Sequence, residues 1–425
     1  MSSVASSRRS APPLRRARAL LVLLALTTAG CQAREVAEAR GSIDQPGGRA
    51  AVAAAAQPPV ARPPVARPPV AQPPVAAPRP ATGDTSFGAT IARLSEPGGY
   101  FDTDNLVSNE TSVLHVLPTL ERRGVRGGAY IGVGPEQSFS YIAAVRPVVA
   151  YIIDIRRDNL LQHLWYKALF ALARDPAEFL LVATGRPEPT ALRQRRDRPI
   201  DSVVALVDAA PPTERSAAEA RRRVLAAVRG FGVPLDSADL ATIARIHDAF
   251  IAAGLDLRFT SYNRAPREYY PTLRDLVLAR DRLGRRNGFL ATAGRFEVVK
   301  ALQAADRVIP VVGDLAGDHA LAAIGQDVRR RGLTVSAFYV SNVEYYLVRD
   351  GTFARFARTA AALPRDGRST IIRSCFGFAC GPDHPAALPG HRSVQIAQAL
   401  DDFAAAQAAG ELATYDDVVR RHVLP

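Results

Sequence analysis

An α/β fold, doubly wound around a mostly parallel Rossmann-like sheet and carrying a mainly helical insertion, is what the sequence predicts. Three observations lead there. Short runs rich in Val and Ile alternate with stretches of helical apolar spacing, and such alternation builds parallel sheets. The first of these runs opens into a tight glycine turn. Several runs end on glycine or polar residues, where ligands lie in open α/β sheets.

The elements follow in order. Residues 129–133 are an apolar run that enters Gly132, Gly134 and Pro135. Phe139, Ile142 and Ala143 then recur at helical spacing until Arg146-Pro147 ends the helix. A second run, residues 148–153, closes on Asp154, and the whole fits one βαβ unit. An acid about 20 residues beyond the glycines can accept hydrogen bonds from ribose hydroxyls. The pattern is GxGP rather than GxGxxG. Pro135 has no N–H for a pyrophosphate but suits the first position of a helix, so a cofactor without a pyrophosphate is favoured. A nucleoside site and a plain crossover both fit this segment.

Residues 307–315 form a third strand ending in Gly313-Asp314, and residues 333–340 a fourth, followed by Ser341-Asn342-Val343-Glu344. Residues 369–374 read as a fifth, with helices at 319–331 and 352–363 between them. Glu344 is the best available general base. After Asp154 comes a helix at 157–173 with a core-like face; its His163 is open to a packing or a catalytic role. The region at about 174–288 interrupts the alternation. It reads as a loop at 186–212, helices at 216–229 and 237–253, and a Tyr/Arg-dense stretch at 261–270. It either caps a site or packs as an annex. Upstream, the polar residues 104–111 precede a helix at 113–123, with Ser108 or Asn109 as its cap or as part of a segment closing over a ligand. Glu136 and Gln137 either touch a ligand or start the helix.

Charge and cysteines narrow the classes. The formal charge is +13, and all basic residues but Lys167 and Lys300 are arginine. The clusters at 193–198 and 221–223 carry no interleaved aromatics, so they read as solvated faces and no nucleic acid is expected. Two cysteines five positions apart, Cys375 and Cys380, fit a disulfide or two quiet thiols, and no metal is expected. The sequence has no G-x-S-x-G elbow, Walker loop or H-E-x-x-H, which argues against serine hydrolases, P-loop NTPases and zincins.

Residues 1–31 have a basic start with Arg8, Arg9, Arg15, Arg16 and Arg18, an apolar core too short to span a membrane, and small residues before Cys31. This resembles a bacterial lipoprotein signal, which implies that Cys31 is lipidated and holds the protein to a membrane of the cell envelope, at the outer membrane or periplasmic face. A secreted protein is the alternative. Losing the five arginines and no acid leaves the mature chain at +8. Residues 32–84 read as a disordered Pro/Ala-rich spacer whose Pro-Pro-Val-Ala repeat favours polyproline II. Residues 85–425 form the folded domain.

The strand-end residues also carry a resemblance. The pattern is similar to the class I S-adenosylmethionine-dependent methyltransferase fold. The phrases GVGPEQSFSYIAAVRP and IDIRRDNLLQHLWYKALF resemble an uncharacterised bacterial methyltransferase-like branch. By position, the resemblance implies that Gly132 and Gly134 pass the methionine part of the cofactor and that Asp154 binds the ribose. Gly313-Asp314 would contact the adenine, and Ser341 and Asn342 would face the substrate. The chain lacks an Asn/Asp-Pro-Pro-Tyr motif after the fourth strand, which sets catalysis apart from fold. The acids at the strand ends favour a methyltransferase-like domain that binds S-adenosylmethionine or a similar nucleoside. Because S-adenosylmethionine is made in the cytosol, an envelope anchor counts for the alternative of a binding or scaffold lipoprotein that retains the fold, with a small molecule or protein as ligand.

Overall fold

The computed structural model describes residues 86–189, 198–262, 264–265 and 267–425. The predicted signal, Cys31, the spacer and arginines 193, 195 and 196 lie outside the described residues. The strands are β1 (Ala129–Gly132), β2 (Val149–Asp154), β3 (Val308–Val312), β4 (Val335–Ser341), β5 (Thr370–Phe376) and β6 (Ser393–Ala399). They form one sheet in the order β3-β2-β1-β4-β5-β6. Every neighbouring pair is parallel except β5 and β6, which run antiparallel. The order reverses between β1 and β4, the switch point at which open α/β sheets leave a crevice. The architecture is thus α/β with a mostly parallel sheet, compatible with a Rossmann-like fold.

Local chemistry explains the layout. β1 and β2 are buried along almost their whole length, as strands covered by helices on both faces must be. Pro310 sits in the middle of β3 without disrupting a ladder, because β3 is the edge strand and pairs only with β2. Its carboxyl end is finished by the chain at 95–96: Val312 donates to Ser95 Oγ at 3.1 Å and accepts from Glu96 N at 2.9 Å. At the other edge, Leu424 donates to the Ala397 carbonyl of β6 at 2.8 Å.

Helices Gln137–Val145 and Arg157–Leu172 follow β1 and β2. The second is buried almost all round, because Ser237–Ala253 of the insertion covers it: Trp165 lies against Phe250 with ring centroids 4.4 Å apart. The insertion holds the α-helices Pro176–Ala183, Ile200–Ala209, Glu214–Arg229, Ser237–Ala253 and Leu273–Val277. Ile200–Ala209 corrects the loop expected at 186–212. Ile200, Val203, Val204 and Val207 fall at helical spacing and are all buried, a signal masked by flanking prolines and arginines. The helix expected at 113–123 is shorter, Leu117–Arg122, with turns before it. On the helix Glu214–Arg229, Arg221 pairs with Asp248 and Arg222 with Glu219, a solvated face. β6 had no counterpart in the sequence expectations. Among the described residues no helix is long and apolar enough to cross a membrane.

Candidate functional site

The carboxyl ends of β1 to β4 surround one cleft of about 830 Å³. Gly134, Asp154, Gly313, Asp314, Ser341 and Asn342 all line it. Parallel register brings them together: Gly132 stands beside Ile152 of β2 and Tyr339 of β4, and Asp154 beside Val312 of β3.

Each residue has a specific place. Gly134 has φ +79°, and a Cβ there would lie 2.7 Å from Gln137 Nε2, so the turn demands glycine. His163 Nε2 donates to the Gly134 carbonyl at 2.9 Å from beneath. Burial pushes the His163 ring down to about 4, so it is neutral and supports the turn rather than facing a ligand. Gly132 does not line the cleft. Its missing Cβ makes room for the Tyr130 ring, whose hydroxyl would otherwise be 2.5 Å away. The expected contact of Gly132 with a methionine tail is therefore corrected to a packing role.

Asp154 is held in a fork by Arg156. Oδ1 accepts from Arg156 N at 2.9 Å and Nε at 3.1 Å, and Oδ2 from Nη2 at 2.9 Å. Arg156 Nη1 also donates to the carbonyls of Thr103 and Asp104, tying residues 103–104 across the top of β2. A carboxylate oxygen has two lone pairs, so only Oδ2 keeps one for a ligand. Asp314 is less occupied. Its Oδ1 accepts from Ala316 N at 2.9 Å, and its Oδ2 has no partner among the described residues. The Glu96 carboxylate accepts from the backbone N–H of Asp314, His319 and Ala320, pinning the loop after β3 to the start of helix Ala320–Arg330. Gly313 lets that loop press on the helix, because a Cβ would meet Ala320 Cβ at 2.2 Å.

The β4 side is built differently. Ser341 ends β4 at φ +51°, a left-handed conformation that costs a residue with a Cβ about 1–2 kcal/mol. Its Oγ donates to Glu110 Oε1 at 2.6 Å, and Tyr339 donates to the same oxygen at 2.5 Å. Gln395 Nε2 donates to Glu110 Oε2. Glu110 is 1 % exposed and its partners are all uncharged, so burial raises its carboxyl above the usual range. Nearby, Glu136 accepts from Ser108 N at 3.1 Å, and burial pushes it up to about 7. The Ser108 hydroxyl accepts from Glu110 N, which makes a local turn rather than a helix cap.

Glu344, expected as a general base, does not face the cleft. It is 1 % exposed and forms a buried ion pair with Arg373, which also donates to Gln398 at 2.7 Å. Both partners of the pair are sealed from solvent, so the Glu344 carboxylate is not open to a ligand. Cys375 and Cys380 are disulfide-bonded, with Cα atoms 5.8 Å apart, and Phe376, Gly377 and Ala379 between them line the cleft.

The mouth is aromatic. Tyr100, Tyr269 and Tyr345 line it while 72 %, 40 % and 48 % exposed. The Tyr/Arg stretch of the insertion adds Phe259, Arg264, Arg267 and Tyr270. The helices of the insertion pack as an annex, and Phe259, Arg264, Arg267, Tyr269 and Tyr270 line the cleft. Sequence reading missed the role of Arg156, whose only signal was adjacency to Asp154, and of Glu110, which looked like one polar residue among several. Among the described residues no group of three or more His, Cys, Asp or Glu side chains is placed to hold a metal ion.

No curated protein matches the chain. One family model does, over residues 105–193 and 239–409, a span that contains all six strands and most of the cleft. The chain belongs to the family described as a domain of unknown function (DUF7790).

Proposed function

We propose that the cleft binds a nucleoside-type ligand, with S-adenosylmethionine as the leading candidate, on a methyltransferase-like domain. The observation that carries this reading is the convergence of Gly134, Asp154, Gly313-Asp314 and Ser341-Asn342 on one cleft at the switch point. Asp314 Oδ2 is free to accept from an adenine amine. The remaining lone pair of Asp154 can take one ribose hydroxyl. The side-chain oxygen of Gln137, buried at the cleft wall without a partner among the described residues, is an acceptor for the ammonium of an amino-acid tail. Methyl transfer needs alignment more than acid–base chemistry, which this geometry could supply.

A second reading has its own observation. The fork of Arg156 on Asp154 takes up most of that carboxylate, which favours a binding module, on a chain whose sequence predicts an envelope anchor, over a turning enzyme.

Calorimetric titration with S-adenosylmethionine and S-adenosylhomocysteine separates these readings. Asp314→Asn is the informative variant, because Asp154→Ala would also release Arg156. A hydrogen bond to a charged carboxylate contributes about 1.5–3 kcal/mol, so the variant should weaken binding about tenfold or more. Absence of heat at millimolar ligand would reject a nucleoside site. Tight binding without transfer to any acceptor would leave the binding module.

A further inference from the structure

Ser341 occupies a position that a sequence motif search could not find. It is the last residue of a central parallel strand, it is left-handed at φ +51°, and the helix Val343–Arg349 starts two residues later. Strand, strained turn and helix are the parts that lift a serine hydroxyl out of an α/β sheet. The glycines of the G-x-S-x-G pattern relieve crowding at the two flanking positions. Here those positions are Tyr339 and Val343, and the Tyr339 side chain is drawn aside to bond Glu110. The register between β4 and β5 also slips between Tyr339 and Ser341, which re-aims the serine. Its side chain lines the cleft on one side and meets a buried carboxylate on the other.

That carboxylate ties residue 110 to β4 and β6 without a cationic partner among the described residues. Glu110 is buried, holds no cation, and is kept in place by Tyr339, Ser341 and Gln395. A carboxylate in such surroundings is a stronger base than one in water. Of the two hydroxyls bonded to Glu110 Oε1, Tyr339 at 2.5 Å and Ser341 at 2.6 Å, only that of Ser341 belongs to a residue lining the cleft.

We propose that Ser341 and Glu110 are a nucleophile–base dyad at the floor of the cleft, directed at the acyl carbon of a carboxylic ester with an aromatic group. Ser341 Oγ forms a bond to that carbon while its proton moves to Glu110 Oε1. The carbon–oxygen bond to the leaving group then breaks, and the departing alkoxide takes the proton from Glu110. Water repeats the sequence on the acyl-serine, gives its proton to Glu110, and Ser341 recovers it as the acid leaves. The amides of Asn109 and Asn342 line the same cleft and can donate to the developing oxyanion. The exposed Tyr100, Tyr269 and Tyr345 supply faces for an aromatic ring. No nucleoside takes part, so the dyad stands or falls separately from the nucleoside reading.

The test is covalent labelling of the full chain with a fluorophosphonate probe, read by intact mass and peptide mapping. Oγ displaces fluoride from phosphorus, and one adduct on Ser341 is expected. Ser341→Ala should give none. Glu110→Gln, which keeps a hydrogen-bond acceptor in place, should label about 100-fold more slowly. Wild-type protein that stays unlabelled at millimolar probe, or Glu110→Gln labelled at the wild-type rate, overturns the proposal. If Glu110→Gln loses its fold by circular dichroism, the wild-type rate against pH decides. The titratable groups facing Glu110 are Tyr130, Tyr141, Tyr339 and Glu136, and the tyrosines stay neutral below about pH 8. Labelling should rise through an ionisation above the ordinary carboxylate range, and also occur in Glu136→Gln. A flat profile from about pH 4 to 8 overturns it.

Discussion

The two flanks of the cleft treat their acids in opposite ways. On the β2–β3 flank three carboxylates are matched, and Asp314 keeps an oxygen without a partner among the described residues. Asp154 is forked by Arg156, Glu96 accepts three backbone N–H groups, and Asp327 on the helix below β2 meets Tyr151, Arg330 and Arg331. On the β4 flank Glu110 and Glu136 are buried among uncharged donors, and Glu136 Oε2 and Gln137 Oε1 have no partner among the described residues. Paired acids make a frame whose energy is already low. Unpaired ones are held at a cost, and a ligand or a proton can relieve it. On the two proposals made above, the first flank would position a ligand and the second would carry the reactivity.

Removing the partner of the one matched acid below β4 would break the contrast most severely. Arg373→Ala leaves Glu344 buried and uncompensated, which should cost about 3–5 kcal/mol in urea denaturation. A loss under about 1 kcal/mol would mean that water reaches Glu344 and that this flank is not dry.

A pH series sharpens it. Glu136 is raised from 4.5 to about 7 in the folded state. A raised folded value means that the associated stability is fully present below 4.5 and lost as pH rises through about 7. The difference corresponds to about 3 kcal/mol between those limits, and Glu136→Gln should abolish that slope. Asp327 has the opposite sign: its partners, Tyr151 first, hold it well below the usual range against its own desolvation. Its contribution is full above 3.8 and lost as pH falls through the depressed value, so Asp327→Asn should flatten the acid limb only.

The smallest effect belongs to the turn between the flanks. Gly134→Ala must hold a left-handed φ and push Gln137 aside, costing about 1–2 kcal/mol by thermal denaturation. A neutral result would show that the turn relaxes and does not fix Gln137.

Much of the frame was readable from the chain. The five runs ending near Gly132, Asp154, Gly313, Val340 and Ser374 became β1 to β5, because buried parallel strands need continuous apolar sequence. β6 escaped notice because Gln395 and Gln398 interrupt it. Both glutamines are buried, bonded to Glu110 and Arg373, so their polarity is internal and looks like surface in a linear reading. Glu344 misled for the same reason. A carboxylate after a strand reads identically whether it faces a ligand or an arginine on the next strand.

The sequence by itself determined the strand–helix alternation, the glycine turn and the acids at the strand ends, since these follow from periodicity and backbone sterics within a few residues. Partners were decided only by the tertiary structure. Whether Asp154 meets Arg156 or a ribose, whether Glu110 is solvated or sealed under Ser341, and whether Gly132 serves a ligand or Tyr130 depend on residues up to 285 positions apart, as between Glu110 and Gln395. Burial sets the dielectric around each charge, and burial is a property of the assembled fold.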